Sequence, residues 1–327
     1  MAEFDFAIVG TDLFSGVLAG LLARDHGKTA VRIGRQPSAQ RLWRSLPLAL
    51  PVATRPGSWA MVRRGEGEIR DVLEAIGVPA AMSAAAVGLI ADTSLTGEAL
   101  DHLAHIAVGY GHQVRRIPHG WAVRRVTMLD RDTINSRLSA WLDGLGVRQI
   151  EDGPADAAIS ILADDGAILD GLPESQRPDM LVSQAMTSTS IVSMQRPPVP
   201  IQCFLDRGVT LIARDENTVL ALVSGESDVE ARLASALPGP FPMKRLATTR
   251  YRRFVTRDGA PLIGRIKGTK QFAIAGLGDC GPFMAPAVAR FLAGKAEGSE
   301  KSWMLAHDPA RPRDIVADFV PPMGAAP

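Results

Sequence analysis

The sequence predicts an α/β fold, in which a dinucleotide-binding (Rossmann-like) domain on a parallel sheet is interleaved with an α+β domain on an antiparallel sheet. Three observations predict it. Residues 4–35 read strand, helix, strand; residues 271–294 read strand, glycine-rich turn, helix; residues from about 192 to 253 form short apolar runs separated by turn residues. The first two patterns lie at opposite ends of the chain, so the domains are discontinuous. The expected division gives 1–40, 126–165 and 256–300 to the dinucleotide-binding domain. It gives 41–125 and 166–255 to a substrate or cap domain, and 301–327 to a Pro-rich, irregular tail.

Each element has a local reason. Phe4 to Val9 is short and apolar, as a buried strand should be. "LFSGVLAGLLARDHG" follows with helical spacing and stops at Gly27; "TAVRIG" is the second strand, which a right-handed crossover helix makes parallel to the first. The prolines of "RQPSAQRLWRSLPLALPVATRPGSW" exclude long regular elements. "GEIRDVLEAIG" and "SLTGEALDHLAHIAVGYG" read as helices, the second with Ser94 as a possible N-cap. "GWAVRRVTML" alternates like a strand. "DRDTINSRLSAWLDGLG" is an amphipathic helix with Leu138, Trp141, Leu142 and Leu145 on one side. "ADAAISILADDG" is a buried strand. "PIQCFLD", "GVTLIARD", "TVLALVSG" and "RYRRFVT" are the strands of the antiparallel sheet, interrupted by the helix "SDVEARLASALPG".

Composition narrows the function. A chain of 327 residues that is 46% hydrophobic can bury a large core, and a net charge of +1 points neither to nucleic acid nor to a membrane surface. Cys203 and Cys280 alone make no disulfide framework, which suits a reducing, cytoplasmic setting; no secretory leader and no run of about 18 apolar residues is seen. Abundant Ala, Arg, Gly and Pro with scarce Tyr is the flavour of a GC-rich bacterial genome. No nucleophile elbow, phosphate-binding Walker loop or paired CxxC is present.

The first turn, "GTDLFSG", stands where a dinucleotide fold has G-x-G-x-x-G. Those glycines permit the tight turn, the approach of the diphosphate and the packing of the helix. Gly10 survives, Asp12 replaces the second glycine and Ser15 the third, with Gly16 able to take over the packing role. A carboxylate at Asp12 conflicts with phosphate in size and charge; it also serves as an intrinsic helix cap. The acidic residue that would hold ribose hydroxyls at the end of the second strand is missing, and Gly34 and Arg35 stand there. Arg35 is either a solvated loop charge or the partner of an NADP 2′-phosphate.

The stretches "RFVTRDGAPLIG" and "FAIAGLGDCGPFMAPAVARFLAG" carry a specific resemblance. Arg253, Thr256, Asp258, Gly259, Pro261, Ile263 and Gly264 in the first, and Gly276, Gly278, Gly281, Ala285, Pro286 and Ala287 in the second, are similar to the C-terminal signature of the FAD-dependent amine and amino-acid oxidoreductases of the D-amino-acid oxidase and glycine oxidase type. The resemblance implies FAD, with the helix after Gly281 aimed at the flavin pyrimidine end. It implies oxidation of a C–N bond of a small amine or amino acid, with Arg253 binding the substrate carboxylate and Tyr251 beside it. Asp279 resembles the carboxylate that holds the ribityl chain in flavin hydroxylases, or else caps the following helix. Arg252 alternates with Arg253 and faces elsewhere. The damaged first turn keeps a second reading open: a cofactor-free or weakly binding relative that acts as an accessory or partner subunit of a multi-subunit enzyme or in protein maturation. Weaker signals are His102 and His105, spaced for a shared metal but better read as helix-surface residues, and the basic "RRIPHGWAVRR", which suits a charged sheet edge. Cys280 reads as a packed small residue.

Overall fold

The computed structural model describes residues 2–34, 46–52, 56–192, 197–237 and 244–311. Arg35 and residues 312–327 of the expected tail lie outside the described residues.

The chain opens with β1 (Phe4–Val9), α1 (Leu13–His26) and β2 (Ala30–Ile33), with β1 and β2 parallel. Helix α1 ends at Gly27, whose left-handed backbone (φ 60°) lets its N–H reach back to Ala23 O. Next come α2 (Pro56–Ile76), β3 (Met82–Ile90), α3 (Ser94–Gly109), β4 (Gln113–Ile117), β5 (Gly120–Leu129), α4 (Arg131–Gly144), β6 (Arg148–Ile150), β7 (Ala157–Leu162) and α5 (Asp165–Gly171). Then follow β8 (Leu181–Val192), β9 (Ile201–Phe204), β10 (Val209–Ala213), β11 (Thr218–Ser224), α6 (Val229–Ala236) and β12 (Lys244–Thr256). The described chain closes with β13 (Leu262–Arg265), β14 (Gln271–Ala275), α7 (Gly281–Leu292) and α8 (Gly298–Ala306).

The strands form two sheets. The first has the order β13-β14-β7-β1-β2-β6 and is parallel except for its edge strand β13. The second has the order β12-β8-β11-β10-β9-β3-β5-β4 and is antiparallel except for the β3–β9 pair. The fold is thus the predicted α/β combination of a dinucleotide-binding sheet with an interleaved second domain.

One face of the six-stranded sheet is covered by α1, α2, α4 and α7 in a continuous core that includes Ile8, Leu18, Leu138 and Phe283. Glycines let the helices approach. A Cβ on Gly16 would overlap Leu138, one on Gly20 would overlap the Trp141 ring, and one on Gly65 of α2 would land on the Phe283 carbonyl of α7. Helix α2 therefore packs on the parallel sheet's helical layer, although it lies in the segment expected to belong to the second domain.

Several local expectations are corrected. Helix α2 begins at Pro56, inside the stretch whose prolines were expected to exclude long elements; proline suits the first helical position, where its missing N–H costs nothing. Thr93, not Ser94, caps α3, accepting from Thr96 N. Strands β3 and β8 were not anticipated. Part of the expected tail is helix α8, whose Glu300 and Met304 are buried and whose Trp303 Nε1 donates to Ser58 Oγ at 3.2 Å. The basic β4 lies at an edge of its sheet. No helix among the described residues is long and apolar enough to cross a membrane.

Candidate functional site

A cleft of about 420 Å3 runs between the carboxyl ends of the parallel strands and the end of β12. Its walls come from the two glycine turns singled out in the sequence and from the Tyr251–Phe254 stretch, so the fold brings the distant motifs together. That is where open α/β sheets place ligands, and the volume falls in the small-molecule class of about 300–1,000 Å3. A second groove, of about 830 Å3, lies under α6 on the other face of β8 and β12, and neither glycine turn lines it.

At the α1 end the turn is tied down from within. Thr11 N and Thr11 Oγ1 both donate to Asp164 Oδ2, at 2.6 and 3.2 Å. Asp164 also caps α5, accepting from Ala167 N at 2.7 Å. Asp12 caps α1: its Oδ1 accepts from Ser15 N at 2.8 Å, and Ser15 Oγ donates back to Asp12 O at 2.8 Å. Arg32 of β2 reaches under the turn and donates from Nη2 to Asp12 O at 3.2 Å. Ser15 is fully buried, and a Cβ on Gly10 would come within 2.9 Å of it. Desolvation deep among protein atoms, then the neighbouring Asp164, raises the Asp12 pKa from 3.8 to about 7, against the opposing effects of Ser15 and Arg32.

Gly34 closes the place where a ribose-binding acid would stand. Its φ is +151°, and a Cβ there would meet Thr11 Cγ2 at 2.8 Å and Gly10 O at 3.0 Å. Any side chain at that position collides with the turn itself.

The α7 end is built differently. Gly276 and Gly278 take left-handed backbone (φ 70° and 55°), so at those two positions the turn presents backbone to the cleft, while Leu277 and Asp279 bring side chains to it. No side chain caps α7, and its first residues, Gly281 and Pro282, line the cleft. Asp279 therefore does not cap the helix, which was one of its two expected roles. Its Oδ1 accepts from Leu46 N at 3.1 Å, and its carbonyl accepts from Leu48 N. The carboxylate opens onto the cleft and Asp279 is solvent-exposed; the surrounding protein atoms raise its pKa, while the Leu46 N–H, Arg253 and Arg131 pull it back. Cys280, next to it, is buried in the core, and burial pushes its thiol pKa up, as befits a packing residue.

Strand pairing decides which β12 residues share a face. Arg253 lies opposite Gln184 and Tyr251 opposite Met186, so these four share one face; Arg252, opposite Ala185, is on the other. Arg253 Nε donates to Gln184 Oε1 at 2.8 Å, which fixes the plane of the guanidinium. Arg252 is exposed and turns toward Ser183 and Glu226.

The rest of the C-terminal signature is structural. Asp258 pairs side-on with Arg311 through two 2.8 Å bonds, and the same guanidinium donates to Ala260 O, Pro261 O and His307 O. Gly264 leaves room for Pro309. His102 and His105 are exposed on α3, whereas His112 is buried edge-on against Trp59, so the three are not gathered.

Sequence reasoning missed Arg131 and Asn135 of α4 and Asp165 of α5, all of which line the cleft, and Gln184, which orients Arg253. One signal was available for Arg131: a cation at the first position of a helix stands at the unfavourable end of the dipole.

No family model matches the chain, and no curated protein matches it. Solved structures do. L-proline dehydrogenase from P. horikoshii superposes with a TM-score of 0.71 at 13% identity, covering 94% of this chain and 97% of that one. Glycine oxidase from Geobacillus kaustophilus gives 0.66 at 15% identity, covering 91% and 96%. Iminodiacetate oxidase from Chelativorans sp. BNC1 gives 0.64 at 15% identity, covering 95% and 96%. The chain shares the fold of these enzymes over nearly their whole length.

Proposed function

We propose that this protein is an FAD-dependent oxidoreductase that oxidises a C–N bond of a small amine or amino acid. The observation that carries the reading is the pairing, in one cleft, of an oriented Arg253 with the glycine-rich turn before α7, whose helix start no side chain caps. The fold of the amine- and amino-acid-oxidising neighbours supports the same class of reaction.

The residues at the α7 end fit a flavin ring. The positive dipole end at the start of α7 would favour negative charge on the pyrimidine side, and Asp279 would meet a ribityl hydroxyl. A flavin held there would supply the hydride acceptor. The chain's own residues bind and orient. Arg253, held by Gln184, offers its remaining N–H groups to the substrate carboxylate as a bidentate fork, and Tyr251 flanks the substrate on the same face. The α1 turn, by contrast, does not fit a diphosphate in the usual way: Asp12 already occupies Ser15 N, and Gly34 leaves no room for a ribose acid.

That misfit favours a second reading, a cofactor-free relative that acts as an accessory subunit. NADP bound through Arg35 ranks below both, because it leaves Asp12 unexplained. The visible spectrum of the purified protein separates the first two. The oxidoreductase shows a stoichiometric flavin band that bleaches under anaerobic conditions with an amine or amino acid. A colourless protein that also refuses added FAD overturns the oxidoreductase in favour of the accessory role.

A further inference from the structure

A diphosphate entering the α1 end of the cleft meets Asp12, with Asp164 beside it. Three cations line the cleft among the described residues. Arg252 and Arg253 come from β12, at the substrate end; the third is Arg131, the first residue of α4. It lines the same cleft as Asp12 and Leu13 at the start of α1 and Asp279 and Gly281 at the start of α7, and its charge acts on both carboxylates; dinucleotides bind at such helix starts at the carboxyl ends of parallel strands.

The capping of α4 does not depend on Arg131, although Asp132 of the same helix attracts its charge. The helix is already capped by Asp130, which accepts from Asp132 N and Thr133 N at 3.1 and 3.2 Å. A cation at the first helical position opposes the dipole, and Arg131 is partly desolvated as well, which depresses its pKa. Arg214, in the turn after β10, adds like charge nearby. A partly buried cation held at such cost in a cleft is the mark of a site for an anion. Asn135 lies one helical turn further on, on the same face of α4, and lines the same cleft.

We propose that Arg131 and Asn135 form the diphosphate-binding pair of this protein, taking over from the α1 peptide groups that Asp12 has occupied. The ligand class is a nucleotide with a 5′-diphosphate, held by a guanidinium fork and a side-chain amide from α4. This deepens the flavin reading and uses it only to name FAD as the diphosphate carrier.

Calorimetric titration with FAD, riboflavin and ADP tests both, with no activity readout. Wild type binds FAD much more tightly than riboflavin, and Arg131→Gln weakens FAD and ADP about tenfold or more, as loss of a charge-assisted pair requires, while riboflavin is unchanged. Asn135→Ala weakens FAD and ADP about threefold, and carries the test alone should Arg131→Gln fail to fold. Arg131-dependent ADP binding without any flavin binding upholds the diphosphate site and overturns the flavin reading. Equal FAD affinity in wild type and Arg131→Gln overturns the diphosphate site and leaves the flavin reading standing. Wild type that binds neither FAD nor ADP overturns both.

Discussion

The substitution Asp12→Asn isolates the charge at the first turn. Asparagine caps a helix as well as aspartate does, so the bond to Ser15 N survives while the carboxylate disappears. In the folded wild type the Asp12 pKa is raised from 3.8 to about 7, chiefly by desolvation and then by Asp164. A carboxyl with a raised folded pKa contributes most at low pH, where both states are protonated. As pH climbs from about 4 to 7, the unfolded chain releases a proton that the folded one retains, and stability falls. Such a rise corresponds to about 4 kcal/mol at the upper limit, because solvent in the cleft screens the half-buried carboxyl. Urea unfolding at fixed ionic strength reads the effect. Between pH 5 and pH 8 the stability of Asp12→Asn relative to wild type should rise by about 2 kcal/mol or more. A gap that stays constant with pH, or that narrows, would refute the reasoning that an adverse carboxylate sits at this turn.

Two further substitutions probe what holds the cleft in shape. Gly65→Ala puts a methyl group onto the Phe283 carbonyl oxygen, where backbone cannot yield as a side chain would; it should destabilise by about 3 kcal/mol or more, and an unchanged denaturation midpoint would count against the α2–α7 contact. Arg311→Met leaves Asp258 buried without its partner and strips three carbonyls of a donor. It should cost about 3–5 kcal/mol, and adding Asp258→Asn should recover part of that in the same assay.

What the sequence showed depended on the range of the interaction. The β1-α1-β2 unit was legible because apolar spacing and the Gly27 stop are local signals, and the α7 turn because its glycines are required by left-handed backbone. β8 was not legible: "SQAMTST" is small and polar on both faces, and it is a strand because β11 and β12 pair on either side of it. β3 is half alanine at its start and is likewise held by partners, β5 and β9. The same division runs through the site. Asp12 was readable as a cap because its partner is three residues away; Arg32, which supports the turn from β2, was not, and neither was the pairing of Asp258 with Arg311. Arg131 carried a local warning, its place at a helix start, but the warning gains meaning only when α1 and α7 are seen to converge on it.

The two helix starts in the cleft embody opposite uses of one physical feature. Each carries the positive end of a helix dipole. At α7 no side chain caps the helix start and Gly276 and Gly278 bring backbone to the cleft, so the dipole is available to a ligand. At α1 the chain satisfies one N–H with its own carboxylate and braces the turn with Arg32 and Asp164, so the effect is consumed internally. A ligand that needs only the α7 end is indifferent to Asp12, whereas one that reaches α1 must meet a charge of its own sign. Riboflavin and FAD differ in that reach. Asp12→Asn should therefore leave riboflavin affinity unchanged and strengthen FAD at pH 8, where the wild-type carboxylate is ionised, with the gain shrinking toward pH 6 as the wild-type group takes up its proton. An equal effect on both flavins, or a gain for FAD independent of pH, would place the diphosphate away from α1 altogether.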